Sequence, residues 1–128
     1  MQSAGYRTVK HTNLQIRTKT FALEVIRFCE SLPKDDTART LGRQLLRAGT
    51  SVGANYRAAC RAKSKADFIA KMGIVLEEAD ESAFWIELLR DAGKAAPTSK
   101  ILLQEATEIV AIAISSINTA RRNSSKSH

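Results

Sequence analysis

Apolar residues recur every three or four positions through most of this sequence, and the pattern is interrupted at only three places, residues 33–36, 63–65 and 94–97. Such spacing places the apolar side chains on one face of a helix. The 128 residues include only six Gly and two Pro, so few positions disfavour long helices. The sequence therefore predicts an all-α fold, an up-down-up-down antiparallel four-helix bundle.

The expected helices extend from about Asn13 to Ser31, Ala38 to Ala62, Lys65 to Ala92, and Thr98 or Ser99 to Arg121. Residues 1–12 are predicted to be a flexible basic arm, residues 13–121 the bundle, and residues 122–128 a flexible polar tail. Local signals mark the helix ends. Asp36 or Thr37 is a candidate N-cap for the second helix, Ser64 with Asp67 forms a variant capping box, and Gly93 suits the residue after a helix.

The second helix has an unusual composition. Gly42, Gly49 and Gly53 each cost about 1 kcal/mol inside a helix, which indicates that another helix approaches closely there. Asn55 is the one polar residue on its apolar face, Leu41 to Ala59. A buried amide must find partners, so we predict a structural hydrogen bond that fixes helix register. A backbone kink or a ligand contact at Asn55 is the alternative.

The third helix carries a second apolar stripe. Ile74, Trp85 and Leu88 lie well away from its main face, Phe68 to Ile86, and Glu81 shares their side of the helix. Trp85 is the type of aromatic anchor that dominates subunit contacts. We therefore predict that Ile74, Glu81, Trp85 and Leu88 form an oligomer interface. The alternative is a wide core face that Trp85 merely extends.

Charge is both high and segregated. The net charge of +7 favours polyanions as partners, nucleic acid before anionic membrane, although a basic surface can also serve solubility alone. Residues 34–66 contain eight basic and two acidic side chains, a balance of +6. Residues 67–108 contain four basic and nine acidic side chains, a balance of −5.

The basic half concentrates on one side of the second helix. Five arginines fall within an arc of about 80°, opposite the Leu41–Ala59 face. They are Arg39, Arg43, Arg47, Arg57 and Arg61. Such a stripe is a candidate track for phosphates. The alternatives are a solvated face, or arginines that meet the acids of the third helix on a neighbouring helix or subunit.

The chemistry of an enzyme is missing. The chain has two histidines, no Glu-x-x-His pair, no glycine-rich phosphate loop and no zinc spacing. We therefore expect no enzymatic activity, no metal and no cofactor, with Cys29 and Cys60 as reduced packing residues. No signal peptide opens the chain and no run approaches the ~20 apolar residues of a membrane span. These features predict a cytoplasmic protein without a membrane partner.

Three blocks of sequence, in order, carry a family resemblance. They are Thr50-Ser51-Val52-Gly53-Ala54-Asn55-Tyr56-Arg57, then Ser64-Lys65-Ala66-Asp67-Phe68-Ile69, then Glu78-Ala79-Asp80-Glu81-Ser82-Ala83-Phe84-Trp85-Ile86-Glu87-Leu88-Leu89. The chain resembles the four-helix bundle proteins first met as reading frames within intervening sequences of bacterial 23S ribosomal RNA genes. The accessory protein of diversity-generating retroelements is similar in fold and more distant in sequence. Many relatives carry Glu-Ala after the Asn-Tyr-x motif, where this chain has Ala58-Ala59.

The resemblance implies a bundle that forms a homopentameric ring and supplies no catalytic residue. It also implies that a basic ring surface can bind nucleic acid, as in the retroelement relative. Two functions remain in competition. One is a non-enzymatic, oligomeric accessory protein that binds nucleic acid, RNA before DNA. The other is a structural or protein-interaction module whose arginines serve subunit contacts. Only Tyr56 is a candidate for base stacking near the stripe, which favours phosphate contact over base readout.

Overall fold

The computed structural model describes the backbone of residues 2–126 and the side chains of residues 13–123. This part of the chain is all-α, with helices α1 (Gln2–Glu30), α2 (Asp36–Cys60), α3 (Lys65–Asp91) and α4 (Ser99–Lys126). Each helix packs against its neighbours in sequence, and α1 also contacts α4, less extensively than the other pairs. Because the connections are short, consecutive helices are antiparallel. The predicted four-helix bundle is confirmed.

The core is formed by the apolar faces that the sequence pattern predicts for α3 and α4. Met72, Val75, Ala79 and Ile86 are buried on α3. The buried α4 residues are Ala106, Ile109, Ala113, Ile117 and Ala120. The buried face of α2 is shifted from the predicted one. It comprises Ala38, Gly42, Leu45, Ala48, Gly49, Val52, Tyr56 and Ala59, whereas Leu41 and Asn55 are half-buried.

The glycines of α2 explain this shift, because α1 approaches closely on their side. A Cβ at Gly53 would lie 3.3 Å from the carbonyl oxygen of Thr18 in α1, and one at Gly42 would lie 3.0 Å from Cδ1 of Leu32, in the connection that follows α1. The predicted close helix approach is therefore confirmed, and α1 is the approaching helix. As a result, α1 buries the adjacent face of α2, which includes Tyr56.

The helix ends follow local chemistry. Ser64 is the N-cap of α3, where its Oγ accepts a hydrogen bond from Asp67 N at 3.0 Å. Gly93 has φ of 72°, as expected for the residue after a helix C-cap. The N-cap of α2 is Asp35 rather than Asp36 or Thr37, since Asp35 Oδ1 accepts from Ala38 N at 2.8 Å.

Both terminal helices are longer than predicted. Helix α1 begins at Gln2 rather than Asn13, and α4 ends at Lys126 rather than Arg121. The physical reason is that neither extension contains a proline to stop the helical hydrogen bonds. The flexibility of the arm and tail stays a prediction. The side chains of residues 1–12 and 124–128, and all of residues 1, 127 and 128, lie outside the described part.

Among the described residues, one helix is long and apolar enough to meet the criteria for a membrane span, Ser99–Asn123. The helix passes by its length and average composition, although no unbroken apolar run within it approaches the ~20 residues of a membrane span. A core helix of a bundle passes the same test, and a single such helix is weak evidence for a membrane span. Ala106, Ile109 and Ala113 of this helix are buried in the core.

Candidate nucleic-acid interface

The five arginines of the predicted stripe are all exposed, but their surroundings differ. Arg47 forms ion pairs with Glu81 and, at 3.4 Å, with Glu78, both on α3. Arg39 pairs with Asp36 at 3.3 Å and donates to the carbonyl oxygen of Lys34 at 3.2 Å. The remaining three, Arg43, Arg57 and Arg61, form no ion pair with any residue whose side chain is described. The stripe therefore divides into compensated and uncompensated cations.

Two uncompensated arginines line a groove of about 720 Å³ between α1 and α2. Arg57 lies in the last turn of α2, Arg61 is the C-cap residue of that helix, and Lys19 of α1 lines the same groove. The floor includes the small residues Ala22 and Ala54. The described lining contains no acidic residue. The sequence interpretation missed Lys19, because the pattern within one helix does not show which part of α1 lies beside Gly53.

A second hollow lies between the same two helices at their other end. It has a volume of about 330 Å³ and surrounds Pro33 at the α1–α2 connection. Its lining includes Arg39 and Arg43 but also Glu30. Because an acid is present and Arg39 is paired with Asp36, this end has less free positive charge than the first groove.

Several acids of the negative half are neutralised within the bundle. Arg17 bridges Glu105 at 2.6 Å and Glu108 at 2.9 Å, and the hydrogen bond to Glu105 raises the pKa of Arg17. Lys71 pairs with Asp67 at 2.7 Å and lowers the pKa of that carboxyl. None of these pairs, nor those of Arg47, involves Arg43, Arg57 or Arg61.

Tyr56, the predicted aromatic candidate for base stacking, is buried. Tyr56 is only 3% exposed, and burial raises the pKa of its hydroxyl. Its ring packs in the hydrophobic core because α1 covers this side of α2. The surface around Arg57 and Arg61 is therefore suited to phosphates and offers no aromatic platform among its described lining residues.

The outer face of α3 combines apolar and charged groups. Ile74 and Leu88 are exposed, as predicted, and so is Phe84 at 51%. Trp85 is half-buried against the core, and its Nε1 donates to Glu81 at 3.2 Å. The sequence interpretation missed Phe84, whose ring meets Trp85 edge to face with centroids 5.1 Å apart. The two consecutive aromatic residues in the sequence could have indicated that Phe84 belongs to this surface. Trp85 thus extends the core and borders an exposed apolar patch.

Asn55 has hydrogen-bond partners, but both belong to one residue of its own helix. Its Nδ2 donates to the carbonyl oxygen of Ser51 at 2.9 Å and to Ser51 Oγ at 2.8 Å. Neither bond crosses to another helix. The amide is half-buried rather than buried, and its predicted role in fixing helix register stays a prediction.

The comparisons with known proteins assign the family. The model of the 23S rRNA-intervening sequence protein family matches residues 11–115. The chain belongs to this family. A solved structure with the same fold is a protein of unknown function from the S23 ribosomal protein family of Bacteroides thetaiotaomicron, with a TM-score of 0.76 and 34% sequence identity. The match covers 85% of this chain and 98% of the other. No curated protein matches the chain.

The family membership confirms the resemblance seen in the sequence. Ala58 and Ala59, the two residues that follow the Asn55-Tyr56-Arg57 motif in this chain, are half-buried and buried on α2, respectively. Among residues 13–123, no group of three or more His, Cys, Asp or Glu could hold a metal ion.

Proposed function

We propose that this family member is a non-enzymatic, oligomeric bundle that binds nucleic acid through phosphate contacts on α2, with RNA as the expected partner. One observation carries the proposal. Arg43, Arg57 and Arg61 are exposed and lack ion pairs in the described structure, within a stretch whose charge balance is +6. Guanidinium groups are weakly hydrated and match phosphate geometry, so uncompensated arginines favour phosphate binding.

The chemistry of this surface favours binding without sequence readout. Phosphate contacts position a protein on nucleic acid and carry no sequence information. Tyr56 is buried, so it cannot stack on a base. The family description includes 23S rRNA, which connects the family to RNA by name but states no binding.

Assembly into an oligomer is part of the proposal, with a homopentamer as the expected state. Its support is the exposed apolar side chains of α3, which are Phe84 and Leu88 near Trp85, and Ile74 further along the helix. The family resemblance supplies the number five. A ring would repeat the α2 surface, and weak contacts would then add through multivalency. The proposal includes no catalytic step, cofactor, metal or membrane partner, and it places the protein in the cytoplasm.

One observation favours the second candidate, a structural or protein-interaction module. Arg47 already meets Glu78 and Glu81 of α3 within one chain, so an α2 arginine can serve protein contacts. The same acid–base chemistry would operate between subunits if Arg43, Arg57 or Arg61 faced a partner's acids.

A salt titration of binding separates the two functions. Fluorescence anisotropy with labelled duplex RNA, duplex DNA and single-stranded RNA is measured over a range of KCl concentrations. Phosphate binding predicts that log affinity falls linearly with log salt, by about 0.9 per contact on duplex DNA. Absence of binding at low salt would rule out the nucleic-acid function. Dissociation of an Arg57→Gln, Arg61→Gln variant into monomers would favour the structural module.

A further inference from the structure

The groove between α1 and α2 has a shape and a charge that suit the binding of a single strand of nucleic acid. We infer that it binds the backbone of one strand through Lys19, Arg57 and Arg61, an inference that rests on the proposed function. Small residues on both helices contribute to the space within the groove. Ala22 of α1 and Ala54 of α2 leave about 720 Å³ open above the close helix contact at Gly53.

The three cations converge from two helices on the same space. Lys19 belongs to α1, whereas Arg57 lies in the last turn of α2 and Arg61 is the C-cap residue of that helix. None of them has an ion-pair partner in the described part of the chain. Residues 1–12, whose side chains are not described, contain no acid that could neutralise them. The positive charge of the groove is therefore available to an anionic ligand.

The apolar lining identifies the ligand class more closely. Ile16 is 59% exposed at the groove, and Ala22 and Ala54 add further apolar surface. An inorganic phosphate needs only the cations, whereas a nucleotide chain also brings sugar and base surfaces that apolar side chains can cover. Repeated charges along a strand match cations spread over two helices. The groove thus fits a nucleic-acid strand better than a small anion.

The width of the groove favours one strand over a duplex. Packed helices have axes about 8–10 Å apart. A nucleic-acid duplex is wider than its own major groove, which alone measures about 12 Å. A duplex would therefore contact the rims of the protein groove and would not enter it. Because no aromatic ring is exposed in the described lining, these lining residues offer no surface on which bases could stack. We expect sequence-tolerant binding in which phosphate contacts supply most of the affinity.

The test uses a labelled oligouridylate of about six nucleotides, within the usual range for single-strand sites. Anisotropy titrations over KCl concentration compare the full-length wild type with Lys19→Gln, Arg57→Gln, Arg61→Gln combined. Single-strand binding weakens by about 0.7 log unit per contact per decade of salt. Loss of three contacts should therefore flatten the slope by about two. A control with the same charge change is Lys65→Gln, Lys100→Gln, Arg122→Gln, whose positions lie outside the groove.

A second variant blocks the groove without changing charge. Ala54 is exposed, so Ala54→Leu fills the groove while leaving the core intact. Ala54→Leu should weaken hexanucleotide binding more than duplex binding. This variant also tests the groove assignment if the triple variant fails to fold. Circular dichroism and light scattering establish that each variant keeps its helicity and assembly.

The outcomes separate this inference from the proposed function. If wild type binds RNA but the groove triple behaves like the control triple, the groove assignment is overturned and the proposed function stands. Equal affinity for uridine monophosphate and the hexanucleotide also overturns it, because the site then recognises a small anion. If wild type binds no nucleic acid at low salt, the proposed function fails and the groove assignment fails with it.

Discussion

Gly49 of α2 faces Val25 of α1 so closely that a Cβ on the glycine would lie 2.8 Å from Val25 Cγ2 and 2.9 Å from Val25 Cγ1. Val25 is fully buried, and its branched side chain has few rotamers into which it can retreat. The glycine is therefore a packing residue. Its absent side chain permits the α1–α2 contact beneath the basic groove.

Gly49→Ala should destabilise the bundle for this reason. Overpacking a core usually costs about 1–3 kcal/mol, which exceeds the gain of about 1 kcal/mol from alanine's helix propensity. Gly73→Ala is the matched control on α3, because a Cβ there would meet nothing within 4 Å. Thermal unfolding should show a lower melting temperature for Gly49→Ala and a higher one for Gly73→Ala. Equal stabilisation by both changes would contradict the packing argument.

Trp85→Ala should weaken assembly more than it destabilises the protomer. The change removes an aromatic side chain and its hydrogen bond to Glu81 beside the exposed residues Phe84 and Leu88. Light scattering at micromolar concentration should detect a smaller particle than wild type. The control is Ile101→Ala, which truncates an apolar residue that is 70% exposed on α4. If the wild-type protein is already a monomer, the predicted interface is refuted. If Trp85→Ala loses stability but keeps the particle mass of wild type, Trp85 belongs to the core and not to the interface.

Stability should fall in acid partly through Asp35. The Ala38 backbone amide and the ammonium group of Lys94, 3.1 Å away, hold the pKa of this carboxyl below its ordinary value. A depressed folded pKa means that the stabilisation is present above the unfolded pKa of about 3.9 and is lost as pH falls through the folded value. The melting temperature should therefore decline on acidification below about pH 5.

Substitution of Asp35 isolates this contribution. Asp35→Asn keeps a side chain that can cap α2 but cannot titrate, so it should reduce the steepness of the acid decline. Asp80→Asn, at an exposed position of α3 without an ion pair in the described structure, serves as the control. Identical pH profiles for Asp35→Asn and wild type would show that the Asp35 carboxylate does not contribute.

The sequence predicts most of this fold because its signals are local. Ser64 and Gly93 mark helix ends through hydrogen bonds and backbone conformation within a few residues. The edges of buried faces depend on neighbouring helices and are less predictable. Tyr56 is buried because α1 approaches through Gly49 and Gly53, a relation that no pattern within α2 alone reveals.

The same limit applies to the arginine stripe. A helical projection places Arg47 with the other four arginines, since it considers α2 in isolation. In the bundle α3 lies beside this edge of α2, and the long Arg47 side chain reaches Glu78 and Glu81. Lys19 joins Arg57 and Arg61 only through the packing of α1. The stripe was predictable from spacing, whereas its division into paired and unpaired cations required the helix arrangement.

This division predicts different effects for Arg43→Gln and Arg47→Gln. Arg43 has no ion pair in the described structure, so its loss should flatten the salt dependence of duplex DNA binding by about 0.9. Arg47 is held by two carboxylates, and its loss should change the slope less. The exposed Arg47 pairs should contribute at most about 1 kcal/mol to stability.

Anisotropy over a KCl series and thermal unfolding of the same samples check both expectations. Arg43→Gln should lose affinity about equally for unrelated sequences, because phosphates are common to all of them. Equal flattening by the two variants would show that Arg47 leaves Glu78 and Glu81 when nucleic acid binds. Dissociation of Arg43→Gln into monomers would instead place Arg43 between subunits. The structural module would then explain the exposed arginines better than phosphate binding.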